Sequence, residues 1–306
     1  MNRTSSHESK YLLALADGSR WLVSSGDERS LSVLSKLSNA MQLLVVNSPG
    51  SPCPIATATD GNRVLIPHCT GIFRSLLLVD EDHPDAVPIT SRVPLPSIND
   101  GSIILGLHPC YFQDASFTLL VRVSLIFARD AQTRGGVLIH GALAERNGIG
   151  VILAAPGGTG KTTASERLPA PWRSLCDDTT LVVRDTQGSY HAHPWPTWSR
   201  FFDDGPGGTW NVEKAVPLRS IFFLVRAPED RAERIGSGQA VSLLAECAKQ
   251  ASRLMTVNIS EEENRAQNLE RFNNICTLLQ DIPAHILHIS LNGSFWNEID
   301  RALEFL

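Results

Sequence analysis

The sequence has no apolar run long enough to cross a bilayer. Its longest candidate, TLLVRVSLIFA from Thr118 to Ala128, is broken by Arg122 and falls short of the ~20 residues a membrane helix needs. The opening MNRTSSHESKYLLALADG contains no continuous apolar core of signal-peptide length, so a cytoplasmic protein without membrane partners is expected. There is no long basic run either, and the formal net charge is −5. A general nucleic-acid binder, which needs a cationic footprint for phosphates, is therefore a poor fit. No two cysteines form a CxxC pair. Cys53, Cys69, Cys110, Cys176, Cys247 and Cys276 are scattered, as suits reduced core thiols rather than a zinc site or a disulfide framework. No internal repeat is visible.

What is present has a globular composition, with 42% hydrophobic and 19% charged residues among 306. That length holds two ordinary domains or one large α/β domain with an extension. A division near Arg134 is expected, giving an α+β region over 1–134, assigned to partner recognition, and a second domain over 135–306. In the first, YLLALA and RWLVSS read as strands and LSVLSKLSNAM as a helix, forming a small module that ends near Gly50. A turn or linker, NSPGSPCP, leads to strands RVLIP, SLLLV and SIILGL, and an amphipathic helix is expected from Cys110 to Ala131.

Beyond Gly135 and Gly136 closely spaced strands take over: GVLIHGALAE, IGVILAAP, SLCDDTTLVVRD and SYHAHPW. Further on, VPLRSIFFLVRA reads as a buried strand, GQAVSLLAECAKQASRLM as a helix, AHILHISL as a strand and SFWNEIDRALEFL as a closing helix.

The stretch AAPGGTGKTT reads as a phosphate loop running from Pro156 through Thr163, although Ala155 stands where such a loop begins with glycine. Gly157, Gly158 and Gly160 let the backbone turn tightly around Thr159 and point amides at phosphate oxygens; Lys161 reaches the β/γ-phosphates and the Thr162 hydroxyl ligates Mg²⁺. A strand feeds the loop and a helix leaves it, the context that such a loop requires. Pro169 and Pro171 stop that helix after roughly two turns. The next strand carries Asp177 and Asp178, the first of them 16 residues after Lys161. Neighbours on a strand point to opposite faces, so both serve one site only if the backbone is irregular there or one acts through Mg²⁺. The alternative is an aspartate pair that merely forms a turn.

His140–Gly141, GIGVILAAPGGTGKTT and CDDTTLVV together resemble the catalytic domain of HPr kinase/phosphorylase, and SGQAVSLLAECAKQASR more weakly resembles its late helix. The resemblance implies a phosphoenolpyruvate-carboxykinase-like α/β fold, a P-loop domain with a mixed sheet and short crossovers, that uses ATP and Mg²⁺. The stretch HAHPWPTWSRFFDDGPGGTWNVEKAVPLRSIFFL is similar to HPr-kinase-related proteins of SynChlorMet cassettes, gene groups that also encode a small peptide and radical SAM enzymes. This implies a kinase that transfers the γ-phosphate of ATP to a Ser or Thr hydroxyl of that ribosomally made peptide, with the radical SAM enzymes as further partners. By the same resemblance Asp177 takes the acceptor's proton and Asp178 holds Mg²⁺ with Thr162. Lys161 stabilises the transferring phosphate, and His140 touches that phosphate or supports Asp177.

Three departures qualify the roles. Thr163 replaces a family glutamate, Gln239 and Ala240 replace an Arg and an Asn, and the segment linked to the phosphorylase reaction has no counterpart. Transfer or hydrolysis in one direction is therefore expected. Two other readings remain open: a small-metabolite kinase on the same fold, and an ATP-binding regulatory or peptide-presenting module. The second fits the lost Glu and Arg but leaves the Asp pair without a use. The Trp-rich segment from Trp195 to Trp210 suits either core packing or stacking on a base or peptide. His191 and His193 share a strand face without a nearby third metal ligand, and Arg200 is a candidate cation for the phosphates.

Overall fold

The computed structural model describes residues 9–46, 55–57, 63–65, 72–89, 94–96, 101–108, 117–155, 159–197 and 210–304. These fall into two units, one from Met1–Phe127 and Trp198–Glu213, the other from Ala128–Thr197 and Lys214–Leu306. Relative to the division expected near Arg134, the second segment of the first unit is an addition. Hydrogen bonds place it: the amides of Trp210 and Val212 donate to the carbonyls of Ala40 and Met41.

In the first unit, β1 (Lys10–Ala14) and β2 (Arg20–Ser25) pair antiparallel, with Leu12 opposite Leu22. Helix α1 (Glu28–Met41) starts at Asp27, whose Oδ1 accepts from the Ser30 amide at 2.8 Å and whose Oδ2 accepts from the Asp80 amide at 2.8 Å. Such a cap is worth ~1 kcal/mol, and here it also ties the helix to β6 (Phe73–Asp80). With β3 (Leu44–Val46), β4 (Ile55–Thr57), β5 (Arg63–Leu65), β7 (Val87–Ile89) and β8 (Ser102–Leu107), the sheet runs in the order β5-β4-β3-β1-β2-β6-β8-β7. The small module expected to end near Gly50 is thus part of a larger sheet. The parallel pairing of β2 with β6 is a long-range contact that a local pattern does not reveal. Linker residues 47–54 lie outside the described residues, as does the start of the helix expected from Cys110. The described helix is α2 (Phe117–Gln132).

The second unit is built on two long strands, β9 (Val137–Arg146) and β14 (Val216–Arg226). One end of β9 pairs with β12 (Thr179–Arg184), the other with β10 (Ile149–Ala154) and β11 (Arg173–Cys176). Likewise β14 meets β13 (Tyr190–Trp195) near its start, then β10 and β16 (Ala284–Ile289) in parallel. With β12 pairing β13, the circuit β9-β12-β13-β14-β10 closes on itself. β15 (Arg231–Arg234) lies at the outer edge, antiparallel to β16. The helices are α3 (Lys161–Glu166), α4 (Ser237–Ala251), α5 (Glu261–Asp281) and α6 (Trp296–Glu304), with a 3₁₀ turn over Arg253–Thr256.

The architecture is α/β with mixed sheets, as expected at that level. Val151, Leu153, Phe222, Leu224, Leu287 and Phe295 form its core, each worth ~1.5–3 kcal/mol on full burial. Five strands or helices were not anticipated from the sequence: β3, β4 and β7 in the first unit, and β15 and the 21-residue α5 in the second. The single strand expected over SLCDDTTLVVRD is interrupted at Asp177–Asp178. Among the described residues no helix is long and apolar enough to cross a membrane.

Candidate functional site

Asn147 and Gly148 (φ 54° and 80°) turn β9 directly into β10, since a two-residue hairpin of this type needs positive φ at both positions. β10 then delivers Ala155 to the loop, of which Pro156, Gly157 and Gly158 lie outside the described residues. Gly160 caps α3 with φ 105°, a conformation strained for any residue with a Cβ. Lys161, the first residue of α3, folds back so that Nζ donates to the Ala155 carbonyl at 3.0 Å, leaving the residue 6% exposed. Burial lowers the basicity of its ammonium, while the nearby carboxylates of Asp178 and Asp177 work to restore it.

The backbone irregularity required for the aspartate pair is present: Asp177 and Asp178 occupy the bend between β11 and β12, next to a register shift at Ser174/Cys176. Asp177 is buried. Its Oδ2 accepts from the Thr162 hydroxyl at 3.1 Å and its Oδ1 from the Thr197 hydroxyl at 2.8 Å. Asp178 has a side chain 41% exposed; its Oδ1 lies 2.9 Å from His140 Nε2, and its Oδ2 accepts from Thr179 Oγ1 at 3.2 Å. Burial works to raise the Asp178 carboxyl, but the His140 hydrogen bond and charge, with Lys161 and Thr179, outweigh it and hold it below the usual range.

The other ring nitrogen of His140 is also held, with Nδ1 2.8 Å from Gln250 Oε1. Gln250 Nε2 donates to Glu246 Oε1 at 3.1 Å, which orients the amide with its oxygen toward the imidazole. An amide oxygen only accepts, so in this arrangement Nδ1 is the donor to Gln250. The neighbouring Gly141 has a packing reason. A Cβ there would sit 2.7 Å from Ile152 Cγ2 and 3.3 Å from Ala154 Cα, while its carbonyl accepts from Thr180 Oγ1 at 2.8 Å. The His–Gly pair thus joins a polar contact to a close approach of β9 and β10.

The fold therefore brings together Lys161, Thr162, Asp177, Asp178 and His140. His140 meets Asp178 rather than the expected Asp177, because the bend turns the second carboxylate toward β9. Thr159 and Gly160 stand at the start of α3, and Thr163 is exposed on it. Four residues join the site that sequence reasoning missed: Thr197, Gln250, Glu246 and Arg226, whose Nε donates to the Thr159 carbonyl at 3.1 Å. Glu246 and Gln250, one helical turn apart, offered a signal; Thr197 offered none. Trp195 and Trp210 are 1% and 5% exposed, so both pack in cores rather than receive a ligand. Arg200 and Trp198 lie outside the described residues. His191 is engaged with Asp185 at 3.0 Å and His193 is fully buried. Cys176 and Cys247 are buried thiols, both pushed up to about 11 by burial.

A family model described as SynChlorMet cassette protein ScmC matches residues 105–304, more than half of the chain. The chain belongs to the ScmC family. The match spans every residue of the site, and it agrees with the cassette resemblance read from HAHPWPTWSRFFDDG. No curated protein matches the chain. In this ScmC-family protein the groups read from the sequence come from three separated stretches, β9, the loop with α3 and the β11–β12 bend, and α4, Thr197 and the end of β14 add the rest.

Proposed function

We propose that this ScmC-family protein is an HPr-kinase-like phosphotransferase with a phosphoenolpyruvate-carboxykinase-like catalytic fold. It transfers the γ-phosphate of ATP to a Ser or Thr hydroxyl of the small peptide of its cassette, alongside the radical SAM enzymes. The observation that carries this reading is the convergence of two carboxylates and a histidine beside the ammonium of Lys161, which begins a helix at a glycine-rich loop. A buried ammonium is costly, and a phosphate beside it would offset that cost.

The donor set suits Mg²⁺, a hard cation that favours oxygen and is held by one or two carboxylates together with substrate phosphates. Among the described residues no cluster of three His, Cys, Asp or Glu side chains forms a metal cage, and Mg²⁺ of this kind needs none. When bound, it neutralises charge building on the phosphates. Thr162 and Asp177, already in contact, would hold it.

The contacts favour exchanging the two carboxylate roles from those the resemblance implied. Both Asp177 oxygens accept hydroxyl hydrogens within the protein, whereas Asp178 is open enough to meet an acceptor. Asp178, oriented by His140, takes the proton as the acceptor oxygen bonds to phosphorus and the bond from phosphorus to the ADP oxygen breaks. Lys161 stabilises the charge on the transferring group.

The test is to incubate the full chain with labelled ATP, Mg²⁺ and the cassette peptide. A mass increase of one phosphate on the peptide is expected, and ATP bound without transfer would reduce the protein to a nucleotide-binding module. Asp178→Asn should remove transfer with ATP still bound, and Asp177→Asn should raise the Mg²⁺ requirement; the reverse pattern would restore the original roles.

A further inference from the structure

Helix α3 has a second side, away from the carboxylates. A cavity of about 400 Å³ opens there, between Thr159 and Gly160 on one wall and the strand ends carrying Arg226, Ala227, Ile289 and Leu291 on the other. Its size falls within the ~300–1,000 Å³ of small-molecule sites. None of His140, Asp177 and Asp178 lines it. Whatever occupies it therefore meets the loop at Thr159 and Gly160 and not through the carboxylates.

Its walls combine two kinds of surface. Ala164, Ala227, Ile289 and Leu291 are apolar. Arg167 supplies a flat cation with a fixed plane: Nη1 donates to the Ser290 carbonyl at 2.9 Å and Nη2 to the Gly293 carbonyl at 2.7 Å, and the guanidinium lies 5.2 Å from the Phe295 ring centroid. A guanidinium locked in this way is suited to a planar, electron-rich ring. Arg226 stands at the mouth, where its bond to the Thr159 carbonyl holds the loop and brings the guanidinium alongside Gly160.

We propose that this cavity holds the nucleoside end of the bound nucleotide, a flat purine against the apolar wall and Arg167, with its phosphates passing Arg226 and Gly160 to Lys161. The assignment rests on the phosphate-binding reading above and adds to it the side from which the nucleotide enters. An occupant so close to the loop must be joined to the phosphates by a short bridge, as a ribose provides. A peptide side chain here would leave its backbone on the wrong side of α3 for the Asp178 carboxylate.

The experiment compares ATP with inorganic tripolyphosphate, each with Mg²⁺, binding to the full chain by calorimetry. Wild type should bind ATP about a hundredfold more tightly than tripolyphosphate, the difference being the contribution of the nucleoside. Ala227→Leu, which narrows the cavity, should weaken ATP about tenfold and leave tripolyphosphate unchanged. Leu291→Ser should weaken ATP about threefold; because Leu291 is 83% exposed, this variant tests the wall without disturbing the fold. Equal wild-type affinities for the two ligands, or ATP binding indifferent to both substitutions while tripolyphosphate still binds, would overturn this inference alone. Failure of wild type to bind either ligand would overturn it together with the phosphate-binding reading.

Discussion

The two sides of α3 are made differently. On the carboxylate side, polar side chains from distant stretches hold one another by directed hydrogen bonds; His140 and Gln250 stand 110 residues apart in the chain. On the cavity side, strand ends and the helix present mostly apolar surface around two arginines. Directed bonds fix where a proton or charge can sit, whereas apolar walls fix only what size and shape can enter. Changes on the first side should therefore alter rate, and changes on the second should alter affinity.

The largest expected break of that contrast is Asp178→Asn, which should lower the transfer rate about a thousandfold. Its binding of ATP should remain close to wild type in a calorimetric titration. Lys161→Met should cost about a hundredfold in rate and, since it removes the charge both sides share, should weaken tripolyphosphate as well as ATP. Gly141→Ala tests packing rather than chemistry. The added methyl meets Ile152 and the backbone of Ala154, so urea unfolding should report a loss of about 1–3 kcal/mol. Gln250→Leu removes the acceptor for His140 Nδ1 and should reduce kcat about tenfold with KM unchanged; restoration of kcat by Gln250→Asn is not expected, because the shorter amide falls short of the ring.

The smallest effect is on acid stability. The Asp178 carboxyl is held below its ordinary range, so its pairing contributes stability that is present above the unfolded-state value and is lost as pH falls through the lowered one. Asp178 is substantially exposed, which keeps this contribution small. Melting temperatures of wild type and Asp178→Asn should diverge at neutral pH and converge in acid.

Much of the second unit was legible because its strands are apolar runs that follow turn residues: IGVILA follows Asn147–Gly148, and VPLRSIFFLVR comes soon after the turn at Val212–Glu213. Helix α5 escaped because its sequence, EEENRAQNLERFNNICTLLQD, buries little, with Arg271, Ile275 and Leu278 its buried residues. A helix so polar carries a weak periodic signal. Its capping box, Ser260 with Glu263, was the local mark that was present and passed over. In the first unit β1, β2, β5, β6 and β8 were legible one by one, but their order was not, since the parallel contact of β2 with β6 joins residues about fifty positions apart.

For the site, residue types and their spacing around the loop already set which groups were available: Lys161, Thr162, two adjacent carboxylates and a histidine one strand earlier. That much is chemistry carried by side chains and by glycines that permit a tight turn, and it can be read locally. How the groups pair was decided by the tertiary structure. The break between β11 and β12 turned Asp177 toward Thr162 and Thr197 and Asp178 toward His140, and α4 brought Gln250 to the far side of the ring. Neighbouring carboxylates are equivalent in a sequence; they acquire different partners and exposure only when a bend in the backbone aims them differently.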